Sequence, residues 1–263
     1  MQAHQYITLS SQMDQERNVL SPRSLVLSLL LGMRQPRRPA HELVAWCGLF
    51  GIADGTARVA LSRMVRAGEL TNRGGIYELA GRVRARGDDQ RFALAPVFVT
   101  DADPTGWWME LVRTNAREAS DRVALRTAMR HHGFAERREG VWLRPANLDR
   151  ERPAAVAEQC ERLRAIPEAP KELAEQMFAP RAWGARSRSL RRDLESVQRR
   201  LRSADGLADA FTCGTQVVAH LRADPLLPPQ LCRPNDRGDA LRDAYVEFQR
   251  GFGIAVREWF ASL

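Results

Sequence analysis

The sequence predicts a mixed α+β chain of several domains, on three observations. Residues 21–79 read as helix, helix, glycine-containing turn, helix and hairpin; residues 107–145 read as strand, helix and strand; and from Trp183 onward the periodicity is helical throughout. A length of 263 residues suits about two or three small domains, and a hydrophobic fraction of 44% supplies their cores.

Residues 1–20 are polar and unpatterned and read as a flexible arm. Ser21-Pro22 has the form of an N-cap followed by a first helical residue, and Leu25, Val26, Leu29, Leu30 and Met33 trace an apolar stripe behind it. Residues 35–39 (Gln-Pro-Arg-Arg-Pro) read as a loop, residues 40–47 as a short second helix with Leu43, Val44 and Cys47 inward, and residues 48–51 as a turn.

The third helix organises the reading. Ala57, Ala60, Leu61, Met64 and Val65 fall at i, i+3, i+4, i+7 and i+8, one apolar face. At about 100° per residue, Gly55, Val59, Ser62 and Arg66 lie opposite, with Arg58 and Arg63 on the flanks. Asp54 stands in the first turn and Arg66 in the last, as the helix dipole favours, and Gly68 is placed to end the helix. Guanidiniums, a hydroxyl and a small apolar surface are the groups that reach base edges and phosphates in a major groove. A solvated arginine face on an ordinary helix is the competing account. The strand-like runs 69–71 and 76–79, around Asn72-Arg73-Gly74-Gly75, tell against it, because a helix followed at once by a hairpin is the order of a winged helix-turn-helix.

Residues 81–106 read as a linker with charge clusters and a short strand-like piece over 92–99. The run 107–112 then reads as a strand, 116–132 as a helix closed by Gly133, and 134–143 as a returning strand. A βαβ unit of this size fits half of a ferredoxin-like domain, completed by a strand near 160–166 and a helix over 170–178. Beyond that, Leu190, Leu194, Val197 and Leu201, then Leu207, Phe211, Val217, Val218 and Leu221, then Leu241, Tyr245, Phe248, Phe252, Val256 and Phe260 form three stripes. Asp224-Pro225-Leu226-Leu227-Pro228-Pro229 interrupts them, since proline cannot continue a helix. The resulting division is an arm over 1–20, a winged-helix DNA-binding domain over 21–90, a ferredoxin-like middle domain over 91–180 and a C-terminal helical bundle over 181–263.

Charge points the same way. The net charge is +8, and Lys171 is the one lysine among 40 basic residues. Residues 21–90 hold 11 arginines against 6 acids, a net of +5, so more than half of the surplus sits around the third helix. Such heavy arginine usage also has genome composition as a possible source. The longest apolar run, 25–31 broken by Ser28, is too short to span a bilayer, and the first 20 residues lack a basic region followed by an apolar core, which predicts a cytoplasmic protein without membrane association. Cys47, Cys160, Cys213 and Cys232 are scattered, with neither C-x-x-C pairs nor histidines at ligand spacing, so they read as buried thiols with no metal and no cofactor.

The sequence resembles the PaaX-like family of bacterial repressors of phenylacetate-catabolism type. The likeness lies in Ser21-Pro22-Arg23-Ser24-Leu25, in Phe50-Gly51-Ile52 followed by Arg58, Ala60-Leu61-Ser62-Arg63 and Val65, in Gly133-Phe134 with Gly140-Val141-Trp142, and in Asp224-Pro225-Leu226-Leu227-Pro228. The resemblance implies the three-domain plan above and a homodimer that binds double-stranded palindromic operator DNA and is released by a small effector such as an aryl-acyl-CoA. The residues expected to touch DNA are Thr56, Arg58, Val59, Ser62, Arg63, Arg66 and, at the hairpin, Arg73. Arg181 and Arg186, with Trp183, are candidates for the effector, within a basic group that includes Arg188, Arg191 and Arg192; a solvated helical face accounts for the same charges. Trp107, Trp108 and Trp142 are further candidates to stack on an aromatic acyl group, or else core residues.

The competing class is an enzyme. Ferredoxin-like domains of small spacer-acquisition nucleases carry a metal-binding Asp at the end of their first strand. Here that place reads Val112-Arg113-Thr114-Asn115, and no nucleophile elbow, P-loop or dinucleotide fingerprint occurs, so catalytic residues are not expected. His131-His132 lacks a nearby second ligand cluster. A protein-binding scaffold would lack a charged groove-facing surface, which this chain keeps.

Overall fold

The computed structural model describes residues 20–33, 35–99, 106–113, 119–201 and 203–263. The arm expected over 1–20 lies outside them, Leu20 apart. The chain is mixed α+β with two antiparallel sheets, and among the described residues no helix is long and apolar enough to cross a membrane. It divides into two compact units, one made of residues up to Arg91 with Leu190–Val218 and Asp243–Leu263, the other of Phe92–Ser189 with Ala219–Arg242.

The first unit opens with α1, Pro22–Leu31. Ser21 caps it, its Oγ accepting from the Ser24 N–H at 3.2 Å, and Leu25, Val26, Leu27, Leu29 and Leu30 are buried. Residues 37–39, expected in a loop, form a short edge strand, β1 (Arg37–Pro39). Its Arg-Arg-Pro sequence has no apolar alternation, and only its pairing with a later strand makes it one; Pro39 is tolerated because the strand lies at the edge. α2 follows over Ala40–Gly48 and α3 over Asp54–Arg66. β2 (Leu70–Arg73) and β3 (Ile76–Leu79) make the hairpin, giving the sheet order β1-β3-β2. Gly74 and Gly75 both have positive φ, 58° and 82°, as a tight two-residue hairpin requires, and the Asn72 side chain accepts from the Gly75 N–H at 3.0 Å.

The linker expected from residue 81 is instead a helix, α4, over Gly81–Leu94. The strand expected over 92–99 is absent as well: residues 92–94 end α4, and only Phe98 makes an isolated bridge, to Leu148. The sequence over 81–94 mixes charged and apolar residues without a helical repeat, so no apolar stripe marks it.

Three long helices lie toward the C-terminus: α8, Pro180–Gln198, α9, Ala204–Arg222, and α10, Asp239–Ala261, with α5 to α7 described with the second unit below. Parts of all three lie in the first unit. There Trp46, on α2 and fully buried, meets Phe211 at 5.1 Å between ring centroids, Phe50 at 5.7 Å, Trp259 at 6.0 Å, Phe260 at 6.2 Å and Phe252 at 6.3 Å. Mostly edge-on, these contacts form one aromatic core.

The second unit is built on β4 (Trp107–Val112), α5 (Ala119–His131), β5 (Ala135–Arg138), β6 (Val141–Pro145), α6 (Ala154–Gln159), β7 (Cys160–Ala165) and α7 (Pro170–Phe178). The sheet order is β5-β6-β4-β7. The single strand expected over 134–143 is broken into a hairpin, because Gly140 takes φ +75° and turns the chain. One sheet face packs Trp107, Ala135 and Leu143 against Ala174, Met177, Leu227 and Leu231. The other packs Trp142 and Cys160 against Leu125, Met129, Phe134 and Val156.

A buried ion pair holds the segment after α9. Arg242 Nη2 donates to Asp224 Oδ2 at 2.7 Å and Arg242 Nε to the Ala93 carbonyl at 2.8 Å, while Asp224 Oδ1 accepts from Leu226 N–H at 2.8 Å. Burial pushes the Asp224 carboxyl above its ordinary range, against the downward pull of Arg242 and the Leu226 N–H.

Trp46→Ala is expected to destabilise the protein by about 3–5 kcal/mol, measured as a lowered midpoint in urea denaturation; an unchanged midpoint would show that the aromatic cluster is not a core.

Candidate nucleic-acid interface

The rotation of α3 is set by its apolar side. Ala57, Leu61 and Met64 are buried, at 1%, 1% and 2% exposure. Since side chains at i, i+4 and i+7 share a face, their burial turns the opposite side outward. Thr56, Arg58, Val59, Ser62, Arg63 and Arg66 are all exposed there, Val59 at 49%, and Gly55 lies exposed beside Thr56. A helix of 13 residues is about 20 Å long and about 10–12 Å across with its side chains, which a major groove about 12 Å wide admits.

Electrostatics separates these arginines from their neighbours. Arg23 pairs with Glu69, and Arg38 with Glu42 at 3.3 Å, its guanidinium also over the Phe260 ring at 5.7 Å. Arg58, Arg63 and Arg66 have no ion pair among the described residues, and the Ser62 hydroxyl makes only the local helical bond, donating to the Arg58 carbonyl at 3.1 Å. Asp54 in the first turn and Arg63 and Arg66 in the last complement the dipole.

Arg73 stands exposed at the end of β2, just before the Gly74-Gly75 turn and across from Ile76 in register. Ile76 is 47% exposed and was not singled out from the sequence. The available signal was that a four-residue strand with one buried residue, Leu79, leaves its far end in solvent.

The effector candidates stand on one helix, α8. Arg181 is exposed and 3.6 Å from Glu175. Trp183 is half-buried, stacked on His220 with centroids 4.5 Å apart, and its Nε1 donates to the His220 carbonyl at 3.4 Å. Arg186 is half-buried on the same helix. A cavity of about 20 Å³, room for a single water, lies beside the Asp224–Arg242 pair, lined also by Phe98, Pro180 and Cys232, and none of the three effector candidates lines it. Arg188 is 3.2 Å from Asp236 and Arg191 is 4.0 Å from Glu195. Trp107 and Trp142 are core residues, at 0% and 2% exposure, while Trp108 is half-buried.

The backbone carbonyls of His131 and His132 accept from Arg150 and Arg144. None of the four cysteines is in a disulfide, and burial raises the thiols of Cys47 and Cys232 to about 11, which keeps them protonated at neutral pH.

Residues 21–83 match a family profile described as PaaX-like protein. The chain is also similar to the solved structure of the uncharacterized protein Rv0674 from Mycobacterium tuberculosis, with 36% identity over 91% of this chain and 98% of that chain and a TM-score of 0.71. No curated protein matches significantly.

Because they are exposed and make no ion pair among the described residues, Arg58→Ala, Arg63→Ala and Arg66→Ala are each expected to leave stability within about 0.5 kcal/mol of the parent. Denaturant titration checks this, and a larger loss would assign these side chains a structural role.

Proposed function

The chain belongs to the PaaX-like family, and on that premise we propose that it is a DNA-binding transcriptional regulator, a repressor whose residues 21–90 form a winged helix-turn-helix with α3 as the recognition helix. Family membership suggests transcriptional regulation; the observation that supports contact with DNA is the exposed face of α3, with three guanidiniums unpaired among the described residues. Arg58, Val59 and Ser62 are assigned to base edges, with Thr56 reaching from the helix start, and Arg63 and Arg66 to phosphates. The β2–β3 hairpin serves as the wing, Arg73 reaching the adjacent backbone or minor groove.

The second unit, with its β-α-β-β-α-β order and four-stranded antiparallel sheet, supports the ferredoxin-like assignment of the middle region. A single short helix reads few base pairs, so the reading includes a homodimer on a palindromic site, two α3 helices entering successive major grooves. The release signal is a small effector, of the acyl-CoA class that the resemblance implies.

Titration of labelled genomic fragments by fluorescence anisotropy tests the assignment. Arg63→Ala is expected to weaken all sequences about equally and to flatten the salt slope by about one unit. Arg58→Ala is expected to relax discrimination at its base, by about 1–3 kcal/mol. An unchanged salt slope in the first variant, or full discrimination in the second, removes that residue from its role, and absence of binding at low ionic strength overturns the reading.

A further inference from the structure

The outward face of the three-stranded sheet carries an apolar spot at the turn end of the hairpin. Leu70 and Leu79, opposite each other in register, are both buried, which fixes the inner face. Side chains alternate along a strand, so Ile76, three residues from Leu79, points the other way. Directly opposed residues share a face, and Ile76 on the middle strand β3 is opposed by Pro39 on β1 and by Arg73 on β2. The next row on that face is Arg37, Glu78 and Thr71. Ile76 is thus a large apolar side chain, 47% exposed, beside the Gly74-Gly75 turn, with a half-buried proline on one side and an exposed arginine on the other. Its exposed surface gains free energy only when a partner covers it.

Charge and position select the partner. Arg73 stands beside the spot and Arg37 in the next row, both exposed. β2 begins four residues after α3 ends, so the hairpin follows directly from the helix whose exposed face carries Arg58, Arg63 and Arg66. Duplex DNA answers that pattern, with phosphates along the rims of its grooves and stacked bases between them. Three strands about 4.8 Å apart span about 10 Å, wider than a minor groove of about 6 Å. The sheet cannot lie in that groove, but one protruding side chain can enter it. Apolar side chains that enter there part a base step and kink the duplex.

We propose that Ile76 is a wedge, inserted at a base step from the minor groove, that bends the DNA whose major groove α3 reads. The proposal rests on the DNA-binding reading above. It adds sequence preference at a step that no side chain hydrogen-bonds, because flexible pyrimidine–purine steps open at the lowest cost.

The test uses the full chain and a genomic fragment that it binds, trimmed to about 30 base pairs and carrying donor and acceptor dyes at its ends. Energy transfer reads the bend, and anisotropy on the same duplex reads affinity. The parent is expected to bend the duplex by about 20–90°. Ile76→Ala should return it toward straight, weaken binding about tenfold and keep the parental salt slope, because no phosphate contact is lost. Ile76→Leu should bend it as the parent does, and both variants should unfold at the parental urea midpoint, since the site is exposed. A straight duplex under saturating parent protein, a bend that survives Ile76→Ala, a flattened salt slope in that variant, or loss of the bend in Ile76→Leu overturns the wedge and leaves the DNA-binding reading standing. Failure of the parent to bind any fragment removes both. A parental bend in Ile76→Ala together with a changed oligomeric state in sedimentation overturns the wedge and assigns the spot to a second copy of the chain.

Discussion

Burial of Ala57, Leu61 and Met64 is the constraint on which the candidate interface depends. Exposing a buried leucine or methionine costs about 1.5–3 kcal/mol each, so α3 cannot roll about its axis without losing more than its surface interactions could return. The outward direction of Arg58, Ser62, Arg63 and Arg66 therefore follows from what lies beneath the helix and requires no bond of their own. That arrangement lets their side chains reorganise on a partner, since they make no ion pair among the described residues that must first be broken.

The same residue type occupies three environments, and their energetics differ. Exposed pairs such as Arg23–Glu69 contribute little. Arg242 with Asp224, and Arg152 and Arg162 with Glu110, are buried or half-buried; they add little net stability as pairs, but losing one partner would strand a charge in a poorly solvated place. Arg58, Arg63, Arg66 and Arg73 are exposed and unpaired among the described residues. A net charge of +8 is thus less informative than the distribution of unmet charge. Total charge counts Arg242 and Arg63 alike, although only the second can meet a polyanion.

Legibility in the sequence followed locality. α1, α3 and the β2–β3 hairpin were readable because Ser21-Pro22, the stripe through Leu61 and the Gly74-Gly75 pair are signals contained within a few residues. The outward face of α3 was readable for the same reason, as helical periodicity alone fixes which residues oppose Leu61. β1 was not, because Arg37–Pro39 becomes a strand only through β3, whose partner residues lie about forty positions on. α4 was hidden by charge on a helix with almost no apolar stripe, and α6 by its length of 6 residues. The burial of Arg144 was illegible in principle, because it depends on the register that sets it beside Trp108.

The Asp224-Pro225-Leu226-Leu227-Pro228 segment carried part of the family resemblance, and the structure gives its residues mechanical duties. Asp224 accepts from both Arg242 and the Leu226 N–H, and Asn147 Nδ2 donates to the Leu226 carbonyl at 2.7 Å. Leu226 is held between them at φ +50°, a conformation that a leucine adopts only under constraint from its surroundings. That turn delivers Leu227 into the core formed with Trp107, Leu143 and Met177. A substitution at Asp224 would remove the hydrogen bond that holds Leu226, loosen the turn that seats Leu227 and strand Arg242, three losses from a single carboxylate. The segment is therefore a joint that sets where α10 begins, and its chemistry is accounted for before any ligand is invoked.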